Sequence, residues 1–117
     1  MKKAYRVKKS SEIDAIFTQK NSKGDKFFAV YYMQNENEAH FRFALSVGKK
    51  YGNAVERNLI KRRVRHIIQS VSEQLSCVRF VVVIKPRAKA LEYQQIKTKL
   101  IDLFLKSNIM ETKNEKS

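Results

Sequence analysis

Residues 79–85 read Arg-Phe-Val-Val-Val-Ile-Lys, five apolar side chains in a row with no polar alternation. Side chains of a strand point alternately to its two faces. A run that is apolar at every position therefore needs cover on both faces, which puts it in the middle of a sheet. Pro86 ends the run, because it lacks the N–H that would continue a ladder. A chain of 117 residues builds one such core and not two. Residues 1–117 are accordingly expected to form a single domain. Three Gly and one Pro leave few break points, so the other elements must follow closely on one another.

A short helix is predicted to start at Ser10 or Ser11, whose hydroxyls suit the free N–H groups of a first turn. Ile13, Ile16 and Phe17 then share one face. Residues 21–25, Asn-Ser-Lys-Gly-Asp, read as a turn. Residues 26–33 are rich in aromatic and β-forming side chains and read as a strand. Residues 40–47 alternate, with Phe41, Phe43, Leu45 and Val47 on one face and Arg42, Ala44 and Ser46 on the other. These two strands are expected to pair antiparallel. Asn53 with Glu56 has capping-box spacing, and the helix it opens is expected to reach Leu75. Ile60, Val64, Ile67, Ile68, Val71 and Leu75 form its apolar stripe. A last helix over residues 91–106 turns Tyr93, Ile96, Leu100, Leu103 and Phe104 inward. A fourth strand is sought near residues 5–7 or within residues 40–50. The fold class is α/β (α+β): a two-layer sandwich in which three helices pack a small mixed sheet of about four strands. Residues 1–9, a basic arm, and 107–117, a polar tail, are expected to be flexible or frayed.

The net charge is +14, from 25 Lys and Arg against 11 Asp and Glu. A field this one-sided calls for a polyanionic partner. Eight basic residues lie within residues 42–65 beside one acid, Glu56. Arg57, Lys61 and Arg65 recur four apart on one helix face, with Asn58 and Arg62 next to them. Like charges at that spacing oppose the helix. Phosphates would relieve them, and Arg suits bidentate phosphate contacts. The plainer reading, a solvated helix face, fits such a total charge less well. Phe17, Phe27, Phe28, Tyr31 and Tyr32 form the second feature, and core packing is the first reading for any one of them. A strand with aromatics on both faces can bury only one set in a one-sided core, so Tyr31 is a candidate platform for an unpaired base.

Other classes drop out. Cys77 is the only cysteine, which excludes an intramolecular disulfide, and its apolar neighbours suggest a small buried thiol. Cys77, His40 and His66 are too scattered for a zinc spacing. No apolar run approaches the roughly twenty residues of a membrane span. The basic start has no apolar stretch after it, so a cytoplasmic protein is expected. The acids do not cluster, and there is no Gly-rich phosphate loop and no Ser/His/Asp order. No catalytic residue is therefore assigned, and a binding protein is favoured over a self-sufficient catalyst.

The stretch from Phe43 to Arg65 contains Ala-Val-Glu-Arg-Asn-Leu-Ile-Lys-Arg-Arg-Val-Arg from Ala54 onward. It closely resembles the signature of the bacterial ribonuclease P protein subunit, Ala-Val-x-Arg-Asn-x-x-Lys-Arg-x-x-Arg, complete here. The resemblance extends over essentially the whole chain. It implies a ribonucleoprotein endonuclease that removes the 5′ leader of precursor tRNA, with catalysis and most of the bound Mg2+ in the RNA subunit. The implied partners are that RNA and precursor tRNA with its leader; neither a membrane nor a protein partner is implied. The implied fold is a small α/β sandwich with a left-handed β-α-β crossover. By residue match, Arg57, Asn58, Lys61, Arg62 and Arg65 correspond to the family's RNA-contacting helix, with Ser46, Lys49 and Lys50 adjoining. Ile13, Phe17, Phe28 and Tyr31 correspond to its leader cleft, Ile13 standing where an aromatic is common. The competing reading is a non-catalytic structural RNA binder of the ribosomal or RNA-assembly type, which charge and size fit but the motif does not.

Overall fold

The computed structural model describes residues 5–7, 10–19, 21–34 and 40–110. Three helices, α1 (Ser10–Thr18), α2 (Ala54–Ser70) and α3 (Tyr93–Lys106), accompany four strands, β1 (Ser22–Gly24), β2 (Phe28–Gln34), β3 (Arg42–Val47) and β4 (Val78–Ile84). The sheet order is β1-β2-β4-β3. The apolar run is β4, and it lies between β2, antiparallel to it, and β3, parallel to it. β3 and β4 are thus parallel neighbours joined through α2, a β-α-β unit.

This order corrects the expected pairing of the second and third strands. β2 and β3 do run in opposite directions, but β4 separates them, with Tyr32 opposite Phe80 on one side and Phe43 opposite Phe80 on the other. The strand with the greatest need of cover takes the position with two paired edges. The fourth strand is β1, in the segment expected to be only a turn. Asp25 makes that hairpin: its Oδ1 accepts from the N–H groups of Phe27 and Phe28 at 2.8 and 2.9 Å.

β4 divides the core in two. Val78, Phe80, Val82 and Ile84 point toward α2 and α3, where Ile60, Val64, Ile67, Ile68, Ile96, Leu100, Leu103 and Phe104 close over them. Val81 points the other way, onto Ile16 of α1 and Val7. The predicted inward faces of α2 and α3 are therefore the buried ones, although α2 ends at Ser70 and a short 3-10 turn leads on to Leu75.

Two ends differ from expectation. Ser107 to Met110 are not frayed: Ile109 is fully buried, Asn108 takes the left-handed conformation (φ 59°), and Ser76 N–H donates to Ile109 O at 2.8 Å. Asn tolerates that backbone at a helix end, which lets the chain fold back onto the core. The rest of the tail lies outside the described residues. Cys77 is exposed, not buried, because it sits in the bend between Leu75 and β4 while Val78 turns inward. In the basic arm, Arg6 bridges to Phe43 and Val7 N–H donates to Phe43 O at 2.8 Å, so residues 6 and 7 run along the outer edge of β3.

Candidate nucleic-acid interface

The capping box forms as the spacing predicts. Glu56 N–H donates to Asn53 Oδ1 at 2.9 Å, and Asn53 N–H donates to Glu56 Oε1 at 3.0 Å. The Glu56 carboxylate also takes Lys89 Nζ at 2.8 Å. The Lys89 bond first, and the Asn53 N–H second, hold its carboxyl below the usual carboxylate range. The one acid of the basic stretch is thereby committed to the start of the helix. A side chain at Gly52 would meet that carboxylate, which would have to swing aside from its place in the box.

With 3.6 residues per turn, Arg57, Lys61 and Arg65 form a flank directly beside the buried stripe of Ile60, Val64 and Ile68. All three are half-buried, while Asn58 and Arg62 continue the flank into solvent. Arg57 Nε donates to Gly52 O at 3.1 Å, which fixes that guanidinium at the first turn. Among the described residues, no carboxylate pairs with Arg57, Lys61, Arg62 or Arg65. Burial, then Arg6 and then Arg62 lower the Arg65 pKa from its ordinary value. Among the described residues, none of the three is paired with a carboxylate. Arg6 was not among the candidate residues; only the pairing of the arm with β3 brings it to α2. Ser46 is exposed near the end of β3, and Lys49 and Lys50 are exposed in the turn that leads to α2.

The second surface lies across the sheet, where α1 covers only part of β2, β4 and β3. Ile16 is fully buried there, and Ile13, Phe17, Tyr31, Met33, Ala44 and Val83 surround it half-buried. The Phe17 and Tyr31 rings meet edge to face, centroids 4.7 Å apart. Phe28, assigned to this cleft by residue match, is not in it. It is fully buried on the opposite face with Val30, because β2 alternates and only Ala29, Tyr31 and Met33 turn toward α1. Alternation also brings Arg42 and Arg79, register partners, to the cleft face, and Arg79 Nη1 lies 4.0 Å from Glu12 of α1. Arg79 was missed because the surrounding run shows no polar period; its place beside Val81 at a spacing of two is the signal that would have found it.

Residues 6 and 7 join the two surfaces, since Arg6 acts on Arg65 and Val7 packs under α1. A cationic flank and a half-open aromatic cleft suit a strand with phosphates on one side and unpaired bases on the other. His40 and His66 take no part: His40 Nδ1 is 2.7 Å from Phe41 O, and His66 Nδ1 is 2.6 Å from the Tyr93 hydroxyl. Among the described residues, no group of three or more His, Cys, Asp or Glu is placed to hold a metal ion. No described helix is long and apolar enough to cross a membrane.

Comparison with known proteins places these features. The sequence model of the family described as Ribonuclease P matches residues 1–108. A ribonuclease P protein component of Phytoplasma australiense is 49 % identical, over 97 % of this chain and 100 % of the relative. One from Acholeplasma laidlawii is 40 % identical, over 95 % of this chain and 96 % of the relative. Among solved structures, the Staphylococcus aureus RNase P protein superposes with a TM-score of 0.87 at 32 % identity, covering 93 % of this chain and 100 % of that one.

Proposed function

The chain belongs to the ribonuclease P family, as the protein component of the ribonucleoprotein endonuclease that processes the 5′ end of tRNA, and from that premise we propose how its two surfaces divide the RNA. The α2 flank of Arg57, Asn58, Lys61, Arg62 and Arg65, continued by Ser46, Lys49 and Lys50, docks the RNA subunit. The cleft of Ile13, Phe17 and Tyr31 takes the unpaired leader of precursor tRNA. The observation that carries this reading is the α2 flank itself: Arg57, Lys61 and Arg65 lie half-buried one turn apart with no carboxylate paired to them among the described residues, an arrangement that phosphates would stabilise. Mg2+ and the hydrolysis it supports are assigned to the RNA subunit, and the protein's part is to bind and align. A cytoplasmic location follows from those partners.

Reconstitution tests the reading. The protein is mixed with a bacterial ribonuclease P RNA and a precursor tRNA at low Mg2+, where the RNA alone is slow. Faster leader removal is expected, and no gain over RNA alone would overturn it. Cleavage by the protein without RNA would instead support an autonomous nuclease.

A further inference from the structure

The antiparallel pairing of β2 and β4 brings the start of one to the end of the other, and Lys85 N–H donates to Phe27 O at 2.9 Å. A hollow of about 520 Å³ opens at this end of the sheet, lined by Lys26, Phe27, Pro86, Arg87, Lys89 and Ala90. Its volume is in the range that holds a nucleotide-sized ligand. Phe27 is half-buried, and two ammonium groups stand over its ring: Lys26 Nζ at 5.6 Å and Lys99 Nζ at 5.2 Å from the centroid. Among the described residues, no acid lines the hollow. Asp25, next to Lys26 in the chain, faces the backbone N–H groups of Phe27 and Phe28, and Glu56 holds Lys89. The turn of Pro86–Ala90 packs against that of Lys49–Tyr51, so basic side chains continue around the molecule from the start of α2 to this hollow. It is distinct from the cleft under α1, whose aromatics lie farther along β2 on the face toward α1.

We propose that this hollow is a further nucleotide-binding site, taking one unpaired nucleotide of an RNA strand with its base on Phe27 and its phosphates among Lys26, Arg87 and Lys99. An aromatic ring gives any base a stacking surface, and ammonium groups beside it reach the adjoining phosphates. An incoming base displaces one ammonium from the ring, and that group moves to the phosphate side. The site rests on the chain being an RNA-binding protein, but its position would anchor RNA beyond both the α2 flank and the leader cleft.

The chain contains no Trp, so Phe27→Trp in the full-length protein gives a single reporter. Titration with the 5′-phosphorylated trinucleotide of uridine is expected to quench it saturably. Lys26→Ala and Lys99→Ala in that background should each weaken binding several-fold. Uridine monophosphate should bind several-fold more weakly than the trinucleotide, and inorganic phosphate should not quench. No quenching, equal quenching by inorganic phosphate, or equal affinity for the monophosphate would each overturn the assignment. In the otherwise unaltered protein, Phe27→Leu keeps apolar bulk and should lower trinucleotide affinity about tenfold; an unchanged affinity with an unchanged melting temperature counts against the platform. Stimulation of the catalytic RNA by Lys26→Ala protein at low Mg2+ is measured in parallel. If stimulation persists while quenching fails, only this site is lost; if wild-type protein fails to stimulate, the proposed function itself is at fault.

Discussion

The two faces of the sheet are finished differently. Toward α2 and α3, Phe28, Phe43, Phe80 and Phe104 are fully buried, and Phe43 and Phe80 stack with centroids 5.9 Å apart. Toward α1, the described buried side chains are the small or aliphatic Val7, Ile16, Ala29 and Val81, and Phe17 and Tyr31 stay half-open. α1 has nine residues against seventeen in α2, too short to roof four strands. The complete face supplies the stability, and the incomplete one keeps aromatic surface available for a ligand. Both use the same residue types, so cover, and not composition, separates scaffold from site.

That contrast breaks most readily in the core. Phe80→Ala should cost about 3–5 kcal/mol, because a fully buried ring leaves a cavity, while Phe17→Ala across the sheet should cost less than half as much. Thermal or urea unfolding reads both, and equal losses would erase the distinction between the faces. Next in size, Tyr31→Ala should weaken binding of leader-bearing tRNA by about 1–3 kcal/mol, as for loss of a stacking partner. Competition against mature tRNA checks it, and equal losses for both substrates would remove the leader from the cleft. On the α2 flank, Arg57→Ala or Arg65→Ala should each lower the log–log salt slope of RNA binding by about 0.7–0.9. An unchanged slope would show that the residue touches no phosphate.

The smallest effect belongs to Glu56. Its carboxyl is held below its ordinary value in the folded protein, chiefly by Lys89. Its stabilisation is therefore present above the unfolded carboxylate pKa and lost as pH falls through the folded one. Glu56→Gln keeps an acceptor for the Asn53 N–H but loses the charge. It should leave α2 helical by circular dichroism while flattening the loss of stability on acidification below the ordinary carboxylate pKa. An unchanged acid profile would mean that the Lys89 pair contributes nothing measurable, as for many exposed pairs.

Local pattern carried much of this into the sequence. The Asn53–Glu56 box, the inward stripes of α2 and α3, the shared face of Ile13, Ile16 and Phe17, and the cationic flank all depend on spacings within one helix. The Ala54–Arg65 motif, which carries the family resemblance, likewise lies within one helix. Phe28 was misplaced because neighbouring aromatics on a strand differ by one position and so lie on opposite faces. Cys77 and the segment from Ser107 to Met110 were misread because their surroundings come from distant parts of the chain: Leu75 pairs with Met110, and Ser76 with Ile109.

By itself, then, the sequence determined the helices, their caps, the central apolar strand and the cationic flank of α2, since each depends on neighbours within a few turns. The tertiary structure alone decided that β4 separates β2 from β3, that Tyr31 and not Phe28 enters the cleft, and that Arg6 joins Arg65. Strand pairing links residues far apart in the chain, and a shift of one position exchanges the two faces.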